Sequence, residues 1–273
     1  MLYLKSYCYS QHELAFVIAN LIEGWDYIEK LCLYEYNFTL TGIKKEYELE
    51  KVIHNIPQHL RSKLYYKKID LTNHIEYAYE NGPLIRKVNE PIQQSWLFND
   101  SHFNLQDDDI IIDHDIDEII YRDSYVPLIE ELNHKNRPLS IKLNQFFFKH
   151  TYLWTNCGFS GPTIYKYNMV KNRKQVINGI RIKNLRFLPQ KTSTIYGCHM
   201  SWIMPIDNML KKFHQYSHPE FRKFANREIL EKAIKDKIYV FDTRRPFNIQ
   251  EIDLNDRRIP IHLQNRNIFS YMK

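Results

Sequence analysis

Glycine is scarce in this 273-residue chain, 7 residues beside 11 prolines, which excludes collagen-like and low-complexity classes. Cysteine is scarcer still. Cys8, Cys32, Cys157 and Cys198 stand far apart with no C-x-x-C pair, so neither a zinc knuckle nor a disulfide framework is indicated, and reduced thiols in a cytosolic protein are expected. Long apolar runs are missing: the best, Leu14–Ile22, holds nine residues including Asn20, against the roughly 18–20 of a membrane helix. The start of the chain has no basic segment, apolar run and small-residue cleavage site in succession. A cytoplasmic protein with no integral membrane segment is therefore expected. With 44% hydrophobic and 26% charged residues, disorder is excluded and the length allows a sizeable core, most simply as one domain over residues 1–273.

The most informative absence is of one charge sign. Between Glu131 and Asp207, 75 consecutive positions carry 12 Lys or Arg and no Asp or Glu. The remainder holds 26 basic against 32 acidic residues, a net of −6 within a chain whose total is +6. The acids peak just upstream, in Asp107–Glu118. An acidic spot followed by a long cationic stretch suits a metal ion together with a phosphate-bearing ligand, provided the cations converge rather than scatter over solvated faces.

Periodicity supplies the elements. Leu2–Tyr9 reads as a strand; from Gln11 the apolar residues Leu14, Val17, Ile18, Leu21 and Ile22 take helical spacing, closed by Gly24. Ile28–Tyr36 and Lys63–Ile69 read as strands, Asn37–Gly42 as a loop, and Asn89–Phe98 as a helix with Pro91 in its first turn. Asp109–Asp113 (DIIID) is the clearest buried strand, followed by a helix over Asp123–Leu132. This strand–helix alternation predicts an α/β fold with a mostly parallel central sheet flanked by helices. Beyond it, Ser140–Trp154 is strand-like, Arg181–Phe187 alternates, and Met204–Tyr216 and Asn226–Lys237 are helical, the last capped by Asn226 with Ile229, Leu230, Ala233 and Ile234 inward.

The DIIID strand runs straight into Asp113-His114-Asp115-Ile116-Asp117-Glu118. In open α/β sheets ligands bind at the carboxyl ends of strands, where this cluster falls. On extended chain Asp113, Asp115 and Asp117 share a face, and adjacent carboxylates resist burial unless a cation or donors stabilise them. A Ca²⁺ loop of the EF-hand type needs Gly at its sixth position and Glu at its twelfth; Glu118 and Ser124 stand there, which excludes it. A solvated acidic loop and a D-x-D site for a divalent ion and a diphosphate remain, and the Ile-rich strand favours the second.

Four blocks, in order over roughly Leu2–Glu231, resemble glycosyltransferase family 17: YLKSYCYSQHELAFVIANL; CLYEYNFTLTG, with Glu35, Asn37, Thr39, Thr41 and Gly42; DDIIIDHDIDEI; and GCHMSWIMPIDNMLKKFHQYSHPEF. The family contains β-1,4-N-acetylglucosaminyltransferases. The resemblance implies a GT-A-type fold, with a Rossmann-like nucleotide-sugar-binding half (residues 1–132) and an acceptor-binding half (133–273). It also implies Mn²⁺ (or Mg²⁺) held by the D-x-D motif, which neutralises the diphosphate leaving group of a nucleotide sugar, by default UDP-N-acetylglucosamine. Matching positions make Asp115 and Asp117 the metal and diphosphate contacts and Asp113 a bridge to sugar or ribose, although Asp113/Asp115 also satisfies D-x-D. They make His199 a further metal ligand, Glu35 and Asn37 contacts to base or ribose, and Trp202, like Trp154, a stacking platform.

Inversion at the anomeric carbon needs a general base. The acid-free stretch leaves Asp207, Glu220, His150, His199 and His218, with Asp207 favoured narrowly although the family tends to have Glu there, and Glu220 matching the S-H-x-E block. Unlike the anchored animal members, this chain begins its first strand at Leu2, so an unanchored bacterial or viral enzyme is expected, with a glycan, lipid-linked, protein or modified-DNA acceptor. A metal-dependent nuclease or phosphodiesterase is the competing reading, as is a binding protein without turnover; the nuclease would want a second acidic cluster.

Overall fold

The computed structural model describes every residue except 75–82, 173, 178–179, 184–188, 216–218, 266 and 271–273, with the backbone alone described at 83–88, 174–177, 180–183, 215 and 219. In chain order the elements are β1 (Leu2–Cys8), α1 (Leu14–Gly24), β2 (Lys30–Tyr36), β3 (Leu64–Ile69), α2 (Pro83–Gln94), β4 (Ile110–Asp113), β5 (Glu118–Ile120) and α3 (Tyr125–Lys135). There follow β6 (Leu139–Phe147), β7 (Lys149–Trp154), β8 (Phe159–Lys166), β9 (Lys174–Ile177), β10 (Ile180–Lys183), β11 (Gln190–Ser201), α4 (Ile206–Gln215), α5 (Arg227–Asp236) and β12 (Ile249–Glu251).

Among the described residues ten strands form one sheet, in the order β12-β7-β6-β8-β4-β1-β2-β3, with β11 joined to β6 and β5 to β11. The parallel pairing expected from strand–helix alternation is confined to β4-β1-β2-β3. From β8 onward most pairs are antiparallel: β8 lies against β4 and β6, β7 against β6 and β12, and β5 against β11, while β11 runs parallel to β6. The sheet is therefore mixed, and it runs without a break from the first half of the chain into the second.

Strands β1, β2 and β4 of the parallel set are covered on both faces, whereas β3 at the edge of the sheet is half-buried. Leu2 and Leu4 of β1 pack with Phe16 and Leu21 of α1 and Leu128 of α3 on one face, while Tyr3 and Tyr7 join Tyr34, Tyr36, Ile92 and Ile111 on the other. A third apolar cluster joins Phe147, Trp154 and Trp202 to Phe213 of α4 and Leu230 of α5.

Several local expectations are revised. The helix expected at Asn89–Phe98 begins at Pro83, so Pro83 takes the first turn and Pro91 lies inside. Such a residue costs about 3 kcal/mol, offset here by burial of Ile92 and by the hydrogen bonds of buried Gln93, which accepts from the Tyr9 hydroxyl and donates to the Phe38 carbonyl. The span Ser140–Trp154 is two strands reversed at Phe148, whose φ of 67° is a left-handed turn. Of the alternating stretch Arg181–Phe187, residues 180–183 form β10 and the rest lies outside the described residues. The Asn226 cap is present, its side chain accepting from the Ile229 N–H at 3.1 Å, but Ile229 itself faces solvent while Leu230 and Ala233 are buried.

Candidate active site

A cavity of about 250 Å³ opens at the carboxyl ends of β1 and β4, lined among others by Tyr7, Glu13, Asp115, Asp117, His199 and Lys212. This is where a parallel sheet presents its ligands. Strand β4 delivers the acidic run: Lys5 and Asp113 are register partners across β1 and β4, and the buried Lys5 ammonium meets Asp113 at 3.1 Å. The chain then turns tightly. The Glu118 N–H donates to the Asp115 carbonyl at 2.9 Å, the Asp115 N–H donates to the Glu118 carboxylate at 2.9 Å, and His114 packs inside with Nδ1 at 2.8 Å from the Glu118 carbonyl. Gly161 on β8 makes room for this turn, since a Cβ there would stand 2.1 Å from Glu118 Oε1.

The turn drives Asp115 and Asp117 into the cavity. Asp115 accepts the Tyr7 hydroxyl at 2.5 Å. Asp117 is anchored through its carbonyl, which accepts from the Met200 N–H at 2.8 Å. Because β5 pairs with β11 so that Glu118 faces His199, the His199 imidazole arrives beside Asp117, Nε2 to Oδ1 3.7 Å. Lys212 of α4 reaches Asp117 at 3.9 Å and lies over the Trp202 ring at 5.3 Å. Trp202 follows β11 with φ 58°, a left-handed conformation uncommon for a bulky side chain and characteristic of sites where the surroundings enforce it.

Electrostatically the site holds carboxyls that burial penalises. Burial, then the neighbouring Asp117, raises the Asp115 pKa; burial raises that of Asp117 against the pull of Lys212; burial and both aspartates raise Glu118 well above the carboxylate range. Glu13 is pushed up to about 7 by burial, although it accepts the backbone N–H groups of Tyr9 and Ser10. His199 is lowered to about 3, first by burial and then by Lys212, so the imidazole is neutral.

Two carboxylates and a neutral imidazole, converging without donors to match, form a donor set suited to a hard or borderline divalent ion. Among the described residues no three His, Cys, Asp or Glu side chains are grouped to hold an ion by themselves. An ion held here would need further oxygen ligands from outside the protein, such as phosphate oxygens.

The other residues singled out from sequence are distributed differently. Asp113 stands at the base of the turn on Lys5 and is absent from the cavity lining. Glu35 is fully buried at the end of β2, accepting from the Leu49 N–H (2.9 Å), the Glu50 N–H (3.3 Å), the Tyr66 hydroxyl (2.6 Å) and Lys45 (3.4 Å). Asn37 joins Asp70 (2.7 Å) to the Leu71 N–H (2.9 Å). Both brace loops outside the cavity, because a strand exit carrying this many unpaired backbone N–H groups draws a buried acceptor.

Asp207, in the first turn of α4, is 74% exposed and ion-paired with Arg227, and Glu220 is exposed in the turn Pro219–Phe224; neither lines the cavity. The α4 residues that do are one and five positions further on, Asn208 and Lys212. His150 lines a separate groove, Trp154 is buried under Arg245, and His218 lies outside the described residues. The cavity carboxylates beyond the D-x-D run are Glu13 and Glu90.

Sequence reasoning missed Tyr7, His12, Glu13, Glu90, Phe159 and Lys212 as lining residues. Tyr7 to Glu13 could have been found from the rule that placed the acidic run, since they close the neighbouring parallel strand. Phe159 and Glu90 carried no local signal.

Comparison with known proteins gives a family match and a likeness to solved structures. The chain is similar to a solved structure of an active-site mutant of LgtC, with a TM-score of 0.33 and 9% identity over 61% of this chain and 57% of that one. No curated protein sequence matches. The model of glycosyltransferase family 17 matches residues 7–243, which takes in the end of β1, the acidic turn, His199 and α4. A match spanning most of the chain and every wall of the cavity means that this protein belongs to glycosyltransferase family 17 and is a glycosyltransferase.

Proposed function

We propose that the enzyme moves a sugar, by default N-acetylglucosamine, from a nucleoside-diphosphate donor, by default UDP-linked, to an acceptor hydroxyl with inversion, in a metal-dependent GT-A-type reaction. The observation that carries the reading is the meeting of Asp115, Asp117 and the His199 Nε2 in one buried cavity, with Lys212 at its rim. Asp115, Asp117 and His199 would hold Mn²⁺ or Mg²⁺, which when bound stabilises the negative charge gathering on the departing diphosphate. Lys212 adds a fixed positive charge to the same wall, worth most in a site shielded from water. Tyr7 orients Asp115 by its hydrogen bond. Proton removal from the acceptor falls to Glu13 or Glu90, the carboxylates that share the cavity.

The acceptor enters past Phe159, whose ring lines this cavity and also a second one of about 300 Å³. Twelve of the fourteen residues around that second cavity belong to the acid-free stretch, so an acceptor approaching there meets no carboxylate until it reaches the donor. We assign residues 1–132 to donor binding and 133–273 to the acceptor side, with a glycan, lipid-linked or protein acceptor, or modified DNA. Among the described residues no helix is long and apolar enough to cross a membrane.

The test is a melting-temperature screen with nucleoside diphosphates and Mn²⁺, followed by a screen for slow hydrolysis of nucleotide sugars. UDP with Mn²⁺ is expected to raise the melting temperature of the wild type and to leave Asp115→Asn unmoved. Absence of a shift with every diphosphate–metal pair defeats the reading.

A further inference from the structure

We propose that Gln145 is a positioning residue: its side-chain oxygen holds His199 in the tautomer protonated at Nδ1, so that the bare Nε2 lone pair is turned toward Asp117 and the ion. The inference rests on the metal-dependent reading above and extends it to Gln145, which lies outside the lining of the first cavity and borders the second.

The geometry begins with strand pairing. In the parallel ladder of β6 and β11, Gln145 and His199 are register partners, which puts their side chains side by side on one face. Gln145 is 4% exposed, so its amide must find partners within the protein. Its Nε2 donates to the Phe146 carbonyl at 2.9 Å, which fixes the amide orientation and leaves Oε1 facing the imidazole. Oε1 lies 2.9 Å from His199 Nδ1. An amide oxygen only accepts, so Nδ1 carries the proton, and in a neutral imidazole the other nitrogen is then an acceptor. That nitrogen faces Asp117 Oδ1 at 3.7 Å, acceptor against acceptor, an arrangement that becomes favourable when a cation lies between them. The Phe159 ring packs on the imidazole with centroids 4.2 Å apart and planes at 32°, which limits the ring flip that would exchange the two nitrogens. A metal-bound histidine is ordinarily oriented by what its second nitrogen donates to, and loss of that partner lowers metal affinity by about 10–100-fold.

Two measurements test this. Nitrogen-detected NMR of histidine-labelled wild-type protein without metal is expected to show His199 as the Nδ1–H tautomer, assigned by comparison with His199→Ala. An Nε2–H tautomer or an imidazolium in the wild type overturns the proposal, and this readout needs no Gln145 variant to fold. Titration of Mn²⁺ in the presence of UDP, read by the electron paramagnetic resonance signal of the free ion, is expected to weaken roughly 10–100-fold in Gln145→Leu. Gln145→Glu, which keeps an acceptor at the same reach, is expected to stay within about threefold of the wild type by the same reasoning. If His199→Ala weakens Mn²⁺ binding and Gln145→Leu does not, the positioning role fails while the site stands. If His199→Ala binds as the wild type does, His199 is not a ligand and the positioning proposal falls, while the diphosphate–metal reading stands on Asp115 and Asp117.

Discussion

Two buried acidic sites close the parallel strands on either side of β1, and they are built in opposite ways. At the end of β2, Glu35 is surrounded by donors: two backbone N–H groups, a tyrosine hydroxyl and a lysine. At the end of β4 and the turn beyond it, Asp115 takes one tyrosine hydroxyl, and Asp117 has Lys212 and His199 no nearer than 3.7 Å. A carboxylate removed from water must be compensated. The chain compensates Glu35 itself, which makes Glu35 a brace for residues 45–50. It leaves Asp115 and Asp117 short, and the shortfall is what a cation with its diphosphate would fill.

Removing the compensated carboxylate should break the fold. Glu35→Ala strips a partner from the Leu49 and Glu50 amides, Tyr66 and Lys45 at once, and a loss of about 3–5 kcal/mol is expected. Urea denaturation of the wild type and the variant measures it; a loss below about 1 kcal/mol, the worth of one ordinary hydrogen bond, would erase the contrast between the two sites. Asp115→Asn should do the reverse. It removes a charge that burial disfavours, so wherever the wild-type carboxyl is ionised the metal-free variant is expected to be as stable as the wild type or more so, while transfer or donor hydrolysis falls by roughly 10²–10³-fold. A variant that is both unstable and active would show that Asp115 is a brace like Glu35.

Gly161 links the two kinds of packing. A methyl group there meets Glu118 Oε1 at 2.1 Å and the Phe159 ring at 2.6 Å, so the support of the acidic turn or the wall beside His199 has to move. Gly161→Ala is expected to cost about 1–3 kcal/mol and to lower activity more than stability alone explains. Full activity with unchanged stability would mean that the turn tolerates displacement.

The pH dependence sharpens the comparison further. Glu13 rises from 4.5 to about 7 on folding. A carboxyl whose folded pKa exceeds its unfolded one stabilises the fold at low pH and loses that contribution as pH rises through the folded value. The contribution of Glu13 is therefore expected to decline between pH 4.5 and 7, so that the stability of the metal-free wild type measured against Glu13→Gln falls over that interval. Denaturant midpoints of the two proteins across the interval decide it; a difference that stays constant or grows in favour of the wild type contradicts the burial of Glu13.

What could be read from sequence follows from which forces are local. The DIIID strand, the helix after Gln11 and the Asn226 cap were legible because periodicity and capping act within a few residues. The place of the acidic run at the carboxyl end of a buried strand was legible because an apolar strand delivers it. Strands β8 and β11 were not, since FSGPTIYK and QKTSTIYGCHMS mix polar and apolar residues without strict alternation and take their shape from pairing with β4, β5 and β6. The same long-range pairing brings His199 to Asp117, which only the family resemblance anticipated. Glu35 and Asp207 show the limit from the other side. A carboxylate at a strand end or helix start looks alike in sequence whether it faces a cavity, a loop or solvent.

Asp207 gives the smallest expected effect and isolates that limit. Its neighbours Asn208 and Lys212 reach the cavity, but Asp207 points the other way from the first turn of α4 and pairs with Arg227 at the surface. Exposed ion pairs contribute about 0–1 kcal/mol, and a carboxylate near a helix N-terminus adds a few tenths more. Asp207→Ala is expected to leave the turnover number within about twofold and stability within about 1 kcal/mol. Lys212→Ala, five residues along the same helix, should slow transfer by roughly tenfold or more if the proposed donor site is right, because it removes a cation from the cavity wall beside Asp117. If the order is reversed, with Asp207 essential and Lys212 dispensable, the acceptor approaches over the outer face of α4, and the general base has to be sought there instead of at Glu13 and Glu90.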